Sequence, residues 1–135
     1  MSTEDPPPNA TDEQGRRTGL WEDPDEHGGV MRGEYLDGER VGTWRHISAR
    51  GQLRAEGGYA GGELHGTWTW WRTDGSKLQE GAFDRGERTG LWRRWSAAGA
   101  LLDEGEYQGE KRVGTWVTYH PDGSVKATKN HRPPA

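Results

Sequence analysis

The stretch GTWTWWRTDGSKLQEGAFDRGERTG, Gly66 to Gly90, decides the fold. It opens with Gly-Thr-Trp and holds three tryptophans within four residues, Trp68, Trp70 and Trp71. It turns at Asp74-Gly75, returns through Glu80-Gly81 and Phe83, and ends on the glycine that opens the next copy. Working outward, Gly19, Gly42, Gly66, Gly90 and Gly114 each begin a G-x-W, at spacings of 23, 24, 24 and 24. The tryptophans are Trp21, Trp44, Trp68, Trp92 and Trp116. A glycine follows seven residues after each of them, and a second at Gly33, Gly57, Gly81 and Gly105. Two residues further on stand Tyr35, Tyr59, Phe83 and Tyr107. In-register copies at a fixed period mark a repeat architecture.

Each unit reads as two strands. GTWTWW, GTWRHI and GTWVTY are short, rich in Thr, Trp and Tyr, and bounded by glycine, which is strand composition. TDGS and PDGS are Asp-Gly turns. KLQEGAF and LLDEGEY return, and Gly81 and Gly105 inside them predict a bulge or room for a facing Trp. All connections are short, so strands pair with their sequence neighbours. The fold class expected is all-β: an elongated antiparallel meander of about ten short strands, two per unit, in a single twisted sheet. Such a ribbon has open edges. Pro24 in the first unit, and Lys126, Lys129 and the closing prolines in the last, read as capping features.

Composition sets the limits. Only 29% of the 135 residues are hydrophobic, yet there are eight Trp, each able to remove roughly 150–250 Å² from water. This predicts a thin sheet held by aromatic side chains rather than a thick two-layer core. The absence of Cys rules out disulfides, thiolate zinc sites and thiol catalysis. Residues 1–15 carry four acidic and no basic side chains within a net charge of -4, so the body is about neutral, a poor match to nucleic acid. The expected layout is an acidic, proline-rich disordered tail at 1–15, a repeat domain at 16–130 and a disordered tail at 131–135. With no signal-peptide pattern and no long apolar run, a cytoplasmic protein is expected.

GTWTWWRTDGSKLQEGAFDRGERTG and GLWRRWSAAGALLDEGEYQGEKRVG resemble MORN repeats, more closely the bacterial variant with G-x-W-x-x-Y, a DG turn and E-G-x-Y-x-x-G. The resemblance spans about residues 16–130. The Pro24 unit, the early Gly109 and the incomplete last unit depart from it. It implies an elongated twisted sheet with a groove, and roles as a scaffold, a membrane-associated module or a toxin partner, including an antitoxin or immunity factor.

The columns of the repeat sort the candidate residues. The Trp column and the Tyr35, Tyr59, Phe83, Tyr107 column read as structural, a stacked spine. Pro24, Ile47, Trp71, Trp95 and Tyr119, three residues after each Trp, fall on the other face and are expected to pack on Leu53, Leu78, Leu102 and Val125. The column two residues after each Trp varies: Asp23, His46, Trp70, Arg94 and Thr118. That variation predicts a solvent-facing column free to specialise. Trp70 and Arg94, with His46 and the neighbouring Arg45, Arg72 and Arg93, form the candidate partner-binding set, since Trp and Arg dominate binding hot spots. The plain alternative is a solvated face on which Trp70 shields a neighbour. The five His lack metal-site spacing, and no cofactor motif or catalytic constellation is present. The expected function is therefore non-enzymatic binding of another protein, such as a toxin or an enzyme subunit, with no cofactor, metal or nucleic acid. A lipid- or glycan-binding module using exposed Trp is the second reading. Self-association by edge pairing is left open.

Overall fold

The computed structural model describes residues 8–132. It is one open sheet of eleven antiparallel strands in sequence order. These are β1 Ala10–Thr11, β2 Arg17–Pro24, β3 Val30–Leu36, β4 Glu39–Ile47, β5 Leu53–Ala60, β6 Glu63–Trp71, β7 Lys77–Asp84, β8 Glu87–Trp95, β9 Leu101–Gln108, β10 Lys111–Tyr119 and β11 Val125–His131. The all-β meander read from the sequence is the observed fold. The additional strand is β1, which pairs with Arg17 and Thr18. Ala10 also accepts the indole N–H of Trp21, and Asn9 caps the amide of Glu22. Asn9, Ala10 and Thr11, assigned to the tail by composition, thus lie against β2. At the other end β11 runs to His131, one residue into the expected second tail. Residues 1–7 and 133–135 lie outside the described residues.

Two kinds of turn alternate. At Asp37-Gly38, Gly61-Gly62, Arg85-Gly86 and Gly109-Glu110 both central residues have positive φ, the pattern of a two-residue type I′ hairpin. This explains the early Gly109: the turn needs positive φ at both positions, and here Gly takes the first while Glu110 adopts φ 69° at the second. The Asp-Gly sequences at 74–75 and 122–123 form wider loops. Arg72 N–H bonds to Ser76 C=O, His120 N–H to Ser124 C=O, and of each pair only the glycine has positive φ. The Asp74 carboxylate accepts from the Ser76 amide and hydroxyl, fixing the loop by its own side chain.

The core is one side chain thick. Tyr35, Trp44, Ala55, Trp68, Trp92, Val113 and Trp116 are its buried hydrophobic residues. Each of the last four repeat tryptophans folds over a glycine of the preceding strand: a Cβ on Gly33, Gly57, Gly81 or Gly105 would come within 2.0–2.3 Å of the indole. The indole N–H then donates to the carbonyl of the residue that follows that glycine, as Trp68 does to Gly58 and Trp92 to Ala82. The facing-Trp expectation for Gly81 and Gly105 is therefore the observed packing. The glycine that opens each G-x-W makes it possible. Gly42, Gly66, Gly90 and Gly114 have φ of 67–77°. Around each, the pairing with the preceding strand skips, as between Glu56 and Gly58 against Thr69 and His65. This bulge tips the Trp inward.

The spine is edge-on rather than stacked. Trp21, Tyr35, Trp44, Tyr59 and Trp68 contact in series at 5.2–5.9 Å and 74–88° between planes. Phe83, Trp92, Tyr107 and Trp116 form a second such series, and Trp70 links the two, 5.9 Å from Trp68 and 6.1 Å from Phe83. Such T-shaped pairs each add about 0.5–1.5 kcal/mol beyond area burial, so the spine ties repeat to repeat without a second layer. On the opposite face, the partners of the third column are Leu53, Lys77, Leu101 and Val125. Leu78 and Leu102 are instead the extra residues of bulges that close each long hairpin. An extra residue just after the turn, in the returning strand, displaces the expected pairing for those two.

Candidate functional site

The alternation of side chains divides the six candidates between two faces. Trp70, His46 and Arg94 share the spine face, in one row across the sheet: His46, Ala55, Trp70, Gln79, Arg94. Arg45 and Arg93, each one residue earlier in its strand, lie on the back face. There Arg45 meets Glu56 at 2.6 Å and Arg93 meets Glu104 at 2.8 Å. Glu104 also accepts from the Tyr119 hydroxyl at 2.7 Å; that bond, then Arg93, holds its carboxyl below the ordinary value. These are half-exposed pairs of small energetic worth. Arg72 stands at a hairpin end, its guanidinium on the carbonyl of Trp95 at 2.8 Å. His46 is bonded to Asp25 at 2.8 Å beside the first long hairpin loop. The six do not form one surface.

Trp70 is not the solvent-facing residue that column variation suggested. It is half-buried, lies 5.9 Å from Trp68 and 5.7 Å from Trp92, and covers Phe83 at 6.1 Å. Sharing a face with Trp68, and with no second sheet above, it packs sideways across the strands.

A column overlooked in the sequence explains why Trp70 sits there. Four residues before each spine Trp stand Arg17, Arg40, Leu64, Arg88 and Arg112. The four arginines lie over their tryptophans, with guanidinium carbons 4.4, 4.3, 5.6 and 4.2 Å from the ring centres. Three of them also donate to tyrosine hydroxyls: Arg17 to Tyr35, Arg40 to Tyr59 and Arg88 to Tyr107. The central unit breaks this at three places at once. Leu64 replaces the arginine, Phe83 the tyrosine, and Trp70 the polar residue of the variable column. All three pack against the core cluster around Trp68. The result is an apolar patch in mid-sheet, flanked by Arg40 on one side and Arg88 on the other. The irregular Leu64 was the available signal in the sequence.

Comparison with protein families finds a match in the C-terminal unit. A MORN repeat variant stands at residues 112–132. This MORN unit comprises nearly all of β10 with β11, the last G-x-W and its DG turn. A repeat of this kind suggests a binding module. Comparison with curated proteins gives no match. Among solved structures the sheet is similar to part of TarM from S. aureus, in two crystal structures. One, a mutant in complex with fondaparinux, alpha-GlcNAc-glycerol and UDP, has 10% identity and a TM-score of 0.38, covering 70% of this chain and 21% of that one. The other has 10% identity and a TM-score of 0.38, covering 70% and 20%. The chain thus spans about a fifth of TarM's length.

Proposed function

We propose that the chain is a non-enzymatic protein-binding module that recognises its partner on the spine face, centred on Leu64, Trp70 and Phe83. The observation that carries this is the coordinated loss of all three polar groups in the middle unit alone. Elsewhere on that face, guanidinium and hydroxyl groups give water a hydrogen-bonding surface over the rings. Here the surface is apolar, aromatic and flanked by arginine, the composition of the desolvated centre of a protein interface. The sheet is rigidly tied by the spine, so binding needs little reordering. An antitoxin, an immunity factor or a scaffold subunit would each use such a face.

The test is affinity capture of the tagged chain from an extract of its source organism, wild type against Trp70→Ser with Phe83→Ser. Near-UV circular dichroism and a melting curve confirm that both are folded. A protein held by the wild type and depleted at least tenfold on the variant supports the reading. Equal capture removes the face assignment, and capture of no protein contradicts the protein-binding reading.

A further inference from the structure

The spine face carries the same side-chain cradle twice, differently filled. In the N-terminal copy, Arg17 over Trp21 and Arg40 over Trp44 converge on Asp23. The Asp23 carboxylate accepts from the Tyr35 hydroxyl at 2.7 Å, from Arg40 Nη2 at 3.1 Å and from Arg17 Nη1 at 3.3 Å. It is a carboxylate held by two guanidinium groups and a phenol, above aromatic rings.

Three repeats later the holders recur. Arg88 lies over Trp92 and Arg112 over Trp116. Arg88 Nη1 donates to the Tyr107 hydroxyl at 3.0 Å, the same distance as Arg17 to Tyr35. The position of Asp23 is taken by Arg94, whose guanidinium turns across the strand pair to Asp103. A hollow of about 280 Å³ lies among Arg88, Arg94, Tyr107 and Arg112. Asp103 is its one acidic lining residue and is already paired. Arg88 has Glu110 on its outer side, while the Arg112 side chain has no hydrogen bond or ion pair among the described residues. The C-terminal cradle thus has the cations and the phenol of the N-terminal one, but its one carboxylate, Asp103, pairs with Arg94 and none bridges Arg88, Arg112 and Tyr107.

We propose that this cradle binds a carboxylate of the partner protein, an Asp or Glu side chain lying beside an apolar residue. It rests on the protein-binding reading and deepens it. The apolar neighbour follows from geometry: Trp70, at the centre of the patch, is 5.7 Å from Trp92 under the cradle, and Gln79 alone separates it from Arg94 in the cross-strand row. Charge-assisted bonds from arginine to a carboxylate are strong and directional, and Asp23 shows that this fold holds one in that setting.

The experiment is an NMR titration of the full chain with acetyl-Phe-Glu-amide, following the Trp92 and Trp116 indole and Arg112 Nε resonances. Acetyl-Phe-Gln-amide and inorganic phosphate are the comparators. The Glu dipeptide should give saturable shifts, and the Gln dipeptide should bind at least tenfold more weakly. Arg112→Gln should weaken binding to a similar degree. Arg94→Asp with Asp103→Met, which copies the Asp23 and Met31 pair, should abolish it by supplying an internal carboxylate. Asp23→Asn should open the N-terminal cradle, so that Trp21 and Trp44 respond as well. Absence of shifts, equal binding of the Gln dipeptide, tighter binding of phosphate, or unchanged binding to the Arg94→Asp/Asp103→Met variant would each overturn the proposal. Because the titration contains no partner protein, its failure beside successful capture refutes the cradle and leaves the protein-binding reading standing.

Discussion

The two halves of the sheet share one frame and differ in what lines it. Around Trp21 and Trp44 an internal carboxylate, Asp23, joins two arginines and a tyrosine into a closed network. Around Trp92 and Trp116 the same arginines and tyrosine surround a hollow, and the corresponding residue is Arg94. Spine tryptophans, receiving glycines and bulges repeat in both. The difference shows that the 24-residue period specifies backbone and rings, while the column two residues after each Trp sets the character of the face. Between the halves, Leu64, Trp70 and Phe83 replace the arginine, the polar residue and the tyrosine of the lining at once.

The shared frame should respond alike in both halves. Trp44→Ala and Trp92→Ala each remove a buried ring and an indole bond to the backbone. Each should cost about 3–5 kcal/mol, measured by urea unfolding. A cost below about 1 kcal/mol for either would show that the spine is not continuous. The cradles should respond differently. Asp23→Ala strips the acceptor from Arg17, Arg40 and Tyr35 and should cost about 1–3 kcal/mol, while Arg94→Ala breaks one exposed pair and should cost under about 1 kcal/mol. Equal costs would mean that the two cradles are not contrasted as described. The two-residue turns give a smaller comparison. Arg85-Gly86 sets an arginine at φ 52° where the first such turn has Asp37. Arg85→Asn should therefore stabilise by about 0.5–1 kcal/mol, read as a raised urea midpoint at unchanged slope.

The smallest effect is in acid. The Tyr119 hydroxyl, then Arg93, lowers the Glu104 carboxyl below its ordinary 4.5. In the N-terminal half, His46, then the Gly29 and His27 amides, lowers Asp25 below 3.8. A depressed carboxyl stabilises the fold above its unfolded-state value, and that contribution is lost as pH falls through the lower folded value. Melting temperatures should thus fall below about pH 4.5. Glu104→Gln and Asp25→Asn should each flatten that fall, and a slope unchanged in both variants would remove these bonds from the acid response.

The period, the strands, the Trp column and the need for glycine opposite it were legible because each leaves a residue of fixed type at fixed spacing. The face assignments were less so. Trp70 varies in its column, which suggested exposure; but i and i+2 share a face, so it had to meet Trp68, and in a one-layer sheet the only cover is lateral. The same parity separates Arg45 and Arg93 from Arg94. The arginine column four residues before each Trp was visible in the sequence, but its meaning was not. It crosses the bulge at the opening glycine, where simple alternation fails to say which ring an arginine reaches.

The most direct measurement is the dissociation constant of the captured partner, by calorimetry, for variants on the two faces. Trp70→Ser should weaken binding at least tenfold, while Arg45→Ala and Arg93→Ala on the back face should change it less than threefold. Loss of binding in the back-face variants with Trp70→Ser unchanged would contradict the spine face as the recognition surface.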